Sequence, residues 1–266
     1  MSHSSFPFQS ELLAVDAAGA IAVMRLTRPA KRNAINDALI AALHTAFVNL
    51  PDHVRCVILH GEGDHFSAGL DLSEVTEQTA AEGVVHSRRW HACFDHIQFG
   101  KVPVIAVLHG AVVGGGLELA SACHIRIAQP STYYALPEGQ RGLFVGGSGS
   151  ARIPRLIGVS RMADMMLTGR TYDAEQGMAI GLSQYVVADG EGMAKARALA
   201  ERIAQNAPLS NFAVMHALPR IADQSQSDGL FTESLMSAIA AADQAAKDRL
   251  NAFLAGKAAK ALKNND

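Results

Sequence analysis

Apolar positions along this chain fall into short continuous runs and into helical stripes. Residues 12–15 and 21–26 are two runs flanking Ala17-Ala18-Gly19-Ala20, which predicts a β-hairpin. The polar stretch Arg28-Pro29-Ala30-Lys31-Arg32-Asn33 reads as a loop. Asn36 then caps a predicted helix over 37–49, with Leu39, Leu43, Ala46, Phe47 and Leu50 on one face. Continuous apolar runs at 54–59, 102–108 and 124–128 have the makeup of buried strands. Residues 74–98 predict two helices broken near Gly83, with Trp90, Phe94 and Ile97 lining one face. The glycine-rich stretch 142–150 predicts a turn leading toward Arg152-Ile153-Pro154-Arg155. Helices are expected at 160–168 and 173–180, a short strand at 184–187, and Ala-rich helix from Gly190 onward. Alternating strands and helices argue an α/β fold with parallel sheet character. The pattern changes near 190–205, so the expected division is a core over 1–200 and a helical region over 201–266.

Composition narrows the function classes. The 266 residues are 49% hydrophobic and 6% aromatic, enough for a large core built from small and aliphatic side chains. A formal net charge of −2 supplies no field for nucleic acid or an acidic membrane surface. The helix over 37–49 contains no Lys or Arg, so it offers no basic RNA-binding face. Three cysteines, Cys56, Cys93 and Cys123, stand at unrelated spacings among apolar neighbours. They read as buried reduced thiols, which makes the cytoplasm the expected compartment. Met1-Ser2-His3-Ser4-Ser5 has no basic flank and no long apolar core, so no signal peptide is expected. No apolar run approaches the ~18 residues of a membrane span.

Two hexads carry the candidate chemistry. Ser67-Ala68-Gly69-Leu70-Asp71-Leu72 has the layout of Gly114-Gly115-Gly116-Leu117-Glu118-Leu119, and each follows an apolar strand ending in His-Gly. One supersecondary unit is therefore used twice. Two such turns can aim two backbone N–H groups at one oxygen. Glu118 is the fifth residue of the second hexad, and Glu138 follows in Pro137-Glu138-Gly139. A pair of carboxyl groups beside two amides suits proton transfer at the carbon next to a carbonyl. Taken alone, Glu118 is also an ordinary first-turn helix glutamate and Glu138 a solvated turn residue. Asp71 reads as a structural cap. No dinucleotide fingerprint survives, because Gly-x-Gly-x-x-Gly from Gly114 ends on Leu119. The eleven histidines include His86, His91 and His96 at a five-residue step, about 140° apart on a helix, so they do not converge on a metal. No metal or redox cofactor is expected.

Taken together, these stretches resemble the enoyl-CoA hydratase/isomerase (crotonase) family. The matching segments are Arg28-Pro-Ala-Lys-Arg-Asn-Ala-Ile-Asn36, Phe66-Ser-Ala-Gly-Leu-Asp-Leu72, Pro103-Val-Ile-Ala-Val-Leu-His-Gly110, Gly114-Gly-Gly-Leu-Glu-Leu119, Pro137-Glu138-Gly139, Arg152-Ile-Pro-Arg-Leu-Ile-Gly158 and residues 167–177. Val145 replaces a common proline and His124 a frequent aspartate; both read as packing variants. The resemblance implies a spiral of ββα units and a C-terminal helical region that drives assembly into a homotrimer or a hexamer of two trimers. It implies an acyl-CoA substrate, with coenzyme A a part of that substrate rather than a cofactor. The amides of Ala68 and Gly115 are expected to form an oxyanion hole, each such donor being worth ~3–4 kcal/mol of barrier. Glu118 is expected to activate a water for attack on the β-carbon, and Glu138 to protonate the α-carbon. The implied reaction is syn hydration of a trans-2-enoyl-CoA. Within the family it competes with double-bond isomerisation and with methylthioacryloyl-CoA-type hydration followed by thioester hydrolysis. Outside catalysis it competes with an RNA-binding or inactive homologue. The resemblance places coenzyme A against Lys31, Arg32 and Ser67, with Phe253 and Lys257 near its adenosine.

Overall fold

A computed structural model of the protein describes residues 8–74 and 77–256. Strands β1 (Leu13–Asp16) and β2 (Ile21–Leu26) pair antiparallel as the hairpin. Helix α1 (Asp37–Val48) starts at Asn36, whose side chain accepts from the Leu39 amide. Strand β3 (Cys56–Gly61), helix α2 (Ala80–Gln98), strands β4 (Val104–Leu108) and β5 (Ala111–Val113), and helix α3 (Gly115–Ala122) follow. Then come β6 (Ile125–Ala128), β7 (Tyr133–Ala135), α4 (Gly149–Ile157), α5 (Val159–Thr168), β8 (Tyr172–Asp173), α6 (Ala174–Ile180), β9 (Tyr185–Val186) and α7 (Gly192–Ala204).

The larger sheet has the order β1-β2-β3-β4-β6-β9, parallel from β2 onward. A smaller sheet, β5-β7-β8, carries the second strand of successive turns. Ser67 bridges Val112 in parallel, so the turn after β3 joins that layer. Strand, short strand, helix is the repeating order of a ββα spiral. Alternate residues of β3 face opposite cores. Val57 and Leu59 pack with α1, α2 and α3, whereas Cys56 and Ile58 pack with Ala196 and Ala200 of α7. A strand buried on both faces needs an unbroken apolar run, and that is the pattern the sequence carries.

Two expectations are corrected. Residues 80–98 form one helix that runs through Gly83. Thr79 and Glu82 make a reciprocal capping box at its start, and Gly83 continues it by bonding to Thr79 O. Residues 149–157 are helical although Pro154 lies inside them, where its ring removes one hydrogen bond. β5 and β7 went unpredicted because three residues give no readable alternation.

The chain divides into two compact units, one ending at Ala204 and one starting at Gln205. The second is helical. It comprises α8 (Pro208–Phe212), a π-helical stretch at Ala213–Ala217, α9 (Leu218–Ala222), α10 (Gln226–Ala242) and α11 (Gln244–Leu254). Its α10 leaves Leu230, Phe231, Leu235 and Ile239 exposed. Among the described residues no helix is long and apolar enough to cross a membrane.

Candidate active site

One cavity of about 470 Å³ gathers both predicted carboxyls, Glu118 and Glu138, together with Ala68 and Gly115. Its wall includes Ala68 and Leu70 from the first turn, Gly114 and Gly115 from the second, Glu118, Glu138, and the segment 143–147. His86, Ser87 and Trp90 of α2 close another side.

Glu118 lies in the first turn of α3 and is only 3% exposed. Its Oε1 accepts from the Gly147 amide (2.9 Å) and the Gly149 amide (2.7 Å). Both positions need glycine here. A Cβ at Gly149 would fall 2.7 Å from Glu118 Cγ, and one at Gly147 2.8 Å from the Trp90 ring. Burial pushes the Glu118 carboxyl up to about 7. The Glu138 charge adds to this rise, while the two amides and Arg152 oppose it.

Glu138 leaves β7 through Leu136-Pro137 and lies against Gly114, where a Cβ would come within 2.5 Å of its Oε1. Its Oε2 is buried and has no hydrogen-bond partner among the described residues. Burial raises this carboxyl too, with Arg141 pulling the other way.

The two hexads press together at their glycines. Gly69 has φ +87°, and a Cβ there would lie 2.5 Å from Val113 O and 3.0 Å from Gly115 N. A Cβ on Gly115 would stand 3.4 Å from Leu70 N. The amides flanking Leu70 are spent. Ala68 N donates to Arg32 O, Gly69 N to Ser67 Oγ, and Asp71 N to Ile35 O. The expected role of the Ala68 amide is therefore corrected: its N–H lies on the edge that pairs with residues 32–35. The left-handed turn at Gly69 re-aims the next amide, and Leu70 N comes to lie beside Gly115. Neither Leu70 N nor Gly115 N meets a protein acceptor among the described residues.

The expected coenzyme A contacts divide. Ser67 is fully buried; its hydroxyl donates to Asn33 O and accepts from Gly69 N. It holds the turn rather than a ligand, which corrects the binding role expected for it. Lys31 and Arg32 are exposed beyond the cavity edge, and Lys31 Nζ reaches Ser73 Oγ at 3.0 Å. Phe253 lies half-exposed on α11 in the other unit. Lys257 lies outside the described residues.

Other side chains are structural. Asp71 takes hydrogen bonds from Ser73 and from Arg28, and these hold its carboxyl at about 2. His124 accepts from the Val104 amide. Among the described residues no three His, Cys, Asp or Glu side chains could hold a metal ion. His86 instead pairs with Asp37 at 2.8 Å, a contact the sequence did not signal.

A model of the enoyl-CoA hydratase/isomerase family matches residues 16–260. A Bacillus subtilis (strain 168) protein named "Probable enoyl-CoA hydratase" is 32% identical over 238 residues, 88% of this chain and 92% of that protein. The fatty acid oxidation complex subunit alpha of Shewanella sp. (strain W3-18-1) is 42% identical over 139 residues, 51% of this chain but only 20% of that subunit. A solved structure from Rhodopseudomonas palustris CGA009, provisionally named an enoyl-CoA hydratase, is 58% identical. It superposes with a TM-score of 0.91 over 94% of this chain and 97% of its own. Agreement over nearly the whole length means that this crotonase-fold chain belongs to the enoyl-CoA hydratase/isomerase family.

Proposed function

We propose that the protein is a hydratase that adds water syn across the double bond of a trans-2-enoyl-CoA to give a 3-hydroxyacyl-CoA. The observation that carries this reading is the pair of carboxyls, Glu118 and Glu138, both raised by burial and facing one cavity beside two unspent amides. The thioester oxygen sits between Leu70 N and Gly115 N. Charge moving onto that oxygen as an enolate forms is stabilised by fixed donors that need no reorganisation. Gly115 also opens α3, whose positive end favours the same charge.

Glu118, poised near neutrality, takes a proton from water as the water oxygen bonds to the β-carbon. Glu138 gives its proton to the α-carbon. One water is added and one proton passes through the site, so the cycle closes when Glu118 returns its proton and Glu138 is reprotonated. Water and the thioester balance the reaction, and coenzyme A enters as part of the substrate. Lys31 and Arg32, beyond the cavity edge, meet its phosphates. The exposed apolar row on α10 is covered in a trimer or a hexamer, and the mass of the particle in solution tests that assignment.

The deciding experiment follows the enoyl-thioester absorbance of crotonyl-CoA with wild type, Glu118→Gln and Glu138→Gln. Hydration requires both carboxyls, so each variant should lose activity by roughly 10²–10⁴-fold. Retained turnover in Glu118→Gln would point instead to double-bond isomerisation, which needs one carboxylate. Release of free thiol would point to coupled thioester hydrolysis. Binding of RNA without turnover would point to a non-catalytic homologue.

A further inference from the structure

The two amides that grip Glu118 Oε1 belong to Gly147 and Gly149, on either side of Ser148. Ser148 has φ +86° and ψ +5°, a left-handed conformation that side chains other than glycine rarely adopt. Its hydroxyl is fully used: it donates to Gly147 O and accepts from Arg152 Nη1. Arg152 stands on α4 and is 8% exposed. Its other nitrogens are held from α2, Nη2 by Asp95 Oδ1 at 2.6 Å and Nε by Gln98 Oε1 at 2.6 Å. A third tie from α2, Ser87 Oγ to Gly146 O at 2.6 Å, fixes the start of the same turn. The strained turn is thus clamped between two helices, and it presents two amides to one carboxyl oxygen.

We propose that Arg152 is a positioning residue for Glu118: clamped by Asp95 and Gln98, it holds Ser148 in its left-handed turn and keeps the Gly147 and Gly149 amides on the carboxylate. This rests on the role of Glu118 as the base. Arg152 acts in two ways. Through Ser148 it keeps two donors on Oε1, and both stabilise the ionised form. Through its own charge it favours that form again, in the direction already noted for Glu118. Among the described residues, Glu138 and Arg152 are the charged groups that act on the Glu118 carboxyl; Asp71 of the cavity wall is paired with Arg28, and His91 of α2 contacts Ser87. Glu138 opposes ionisation from across the cavity, Arg141 acts on Glu138, and Asp95 offsets part of the Arg152 charge. His86 of α2 is engaged with Asp37, and β5 brings no ionisable group.

Arg152→Gln removes the charge and slackens the turn; Arg152→Lys keeps the charge. kcat/KM for crotonyl-CoA is measured for both and for wild type across about pH 5 to 9. In parallel the Glu118 carboxyl band is titrated by infrared spectroscopy, isolated by subtracting the Glu118→Gln spectrum. Arg152→Gln should move the acid limb and the band up by about one pH unit. Its activity should fall roughly ten-fold at low pH and recover toward wild type at high pH, with KM unchanged. Arg152→Lys should recover most of the shift. Gln98→Met loosens the clamp without changing charge and should give a smaller shift in the same direction, which keeps the test open if Arg152→Gln fails to fold. An equal loss at every pH, with an unmoved band, would overturn the proposal. Should crotonyl-CoA not be turned over, the infrared titration still decides, and the failure then belongs to the substrate assignment alone.

Discussion

Replacing Glu118 by Gln should abolish hydration and make the protein more stable. In the fold the Glu118 carboxyl titrates near 7, against 4.5 for an exposed glutamate. Below about pH 4.5 both folded and unfolded chains carry the proton, and the residue has no differential effect. Between about 4.5 and 7 the unfolded chain ionises first, so folding loses stability as pH rises. Above about 7 the full penalty is present. A shift of this size corresponds to ~3 kcal/mol at ~1.4 kcal/mol per pH unit. Sharing of the repulsion with Glu138 brings the expected gain on neutralising Glu118 to ~2–3 kcal/mol. Glutamine keeps an oxygen for the Gly147 and Gly149 amides, so packing and hydrogen bonding are preserved. For a chain of this size the gain is about 5–10 °C in Tm. The assay is thermal unfolding of wild type and Glu118→Gln across about pH 5 to 9 at one protein concentration, which holds any assembly equilibrium fixed. The Tm gap should open through the interval from about 5 to 7 and then level off. A gap that does not change with pH, or a variant less stable than wild type at pH ~8, would refute the assignment of a buried, neutrality-poised carboxyl.

Three further outcomes follow from the same geometry. kcat/KM for an enoyl-CoA should rise with pH through an inflection near 7, because the base works only when deprotonated; a profile flat between about 6 and 8 would show that Glu118 is not that base. Gly149→Ala puts a methyl group against Glu118 Cγ and should cut kcat by ~10²-fold while leaving CoA-ester binding intact, as read by steady-state kinetics beside calorimetry. Ser67→Ala removes the hydroxyl that ties Asn33 to Gly69 and should cost ~1–2 kcal/mol in chemical denaturation with KM unchanged; a raised KM at full stability would return Ser67 to the substrate.

The parts of the fold that the sequence announced are those where one physical requirement dominates. β3 and β4 are apolar throughout because both of their faces are buried. α1 declared itself through Asn36 and a regular stripe. α2 did not, because a glycine normally breaks a helix and the Thr79–Glu82 box that secures its first turn is a side-chain effect. Glu118 and Glu138 were legible as a pair through their glycine-rich settings. The partner of Gly115 was not. The hexads match in letters but differ in conformation, with positive φ at the third residue of one, Gly69, and at the first of the other, Gly114. The family resemblance pointed to Ala68, at the same place in its hexad as Gly115, whereas backbone direction points to Leu70. Arg152 was visible only as part of a motif, since its use depends on Asp95 and Gln98 lying opposite it on α2.

The Ser67–Val112 bridge has a consequence for how such a protein can change. It ties two successive turns of the spiral through backbone atoms, so the spacing of the two amides is inherited largely from sheet register, with Ser67 and Gly69 completing the turn. The helix side of the cavity, Gly83, His86, Ser87 and Trp90, lies outside that register. Mutations there can reshape what is admitted while the oxygen-binding geometry stays constant. Libraries aimed at new acyl groups should be concentrated on Gly83 and His86, and the strands, Ser87 and Trp90 should be left untouched.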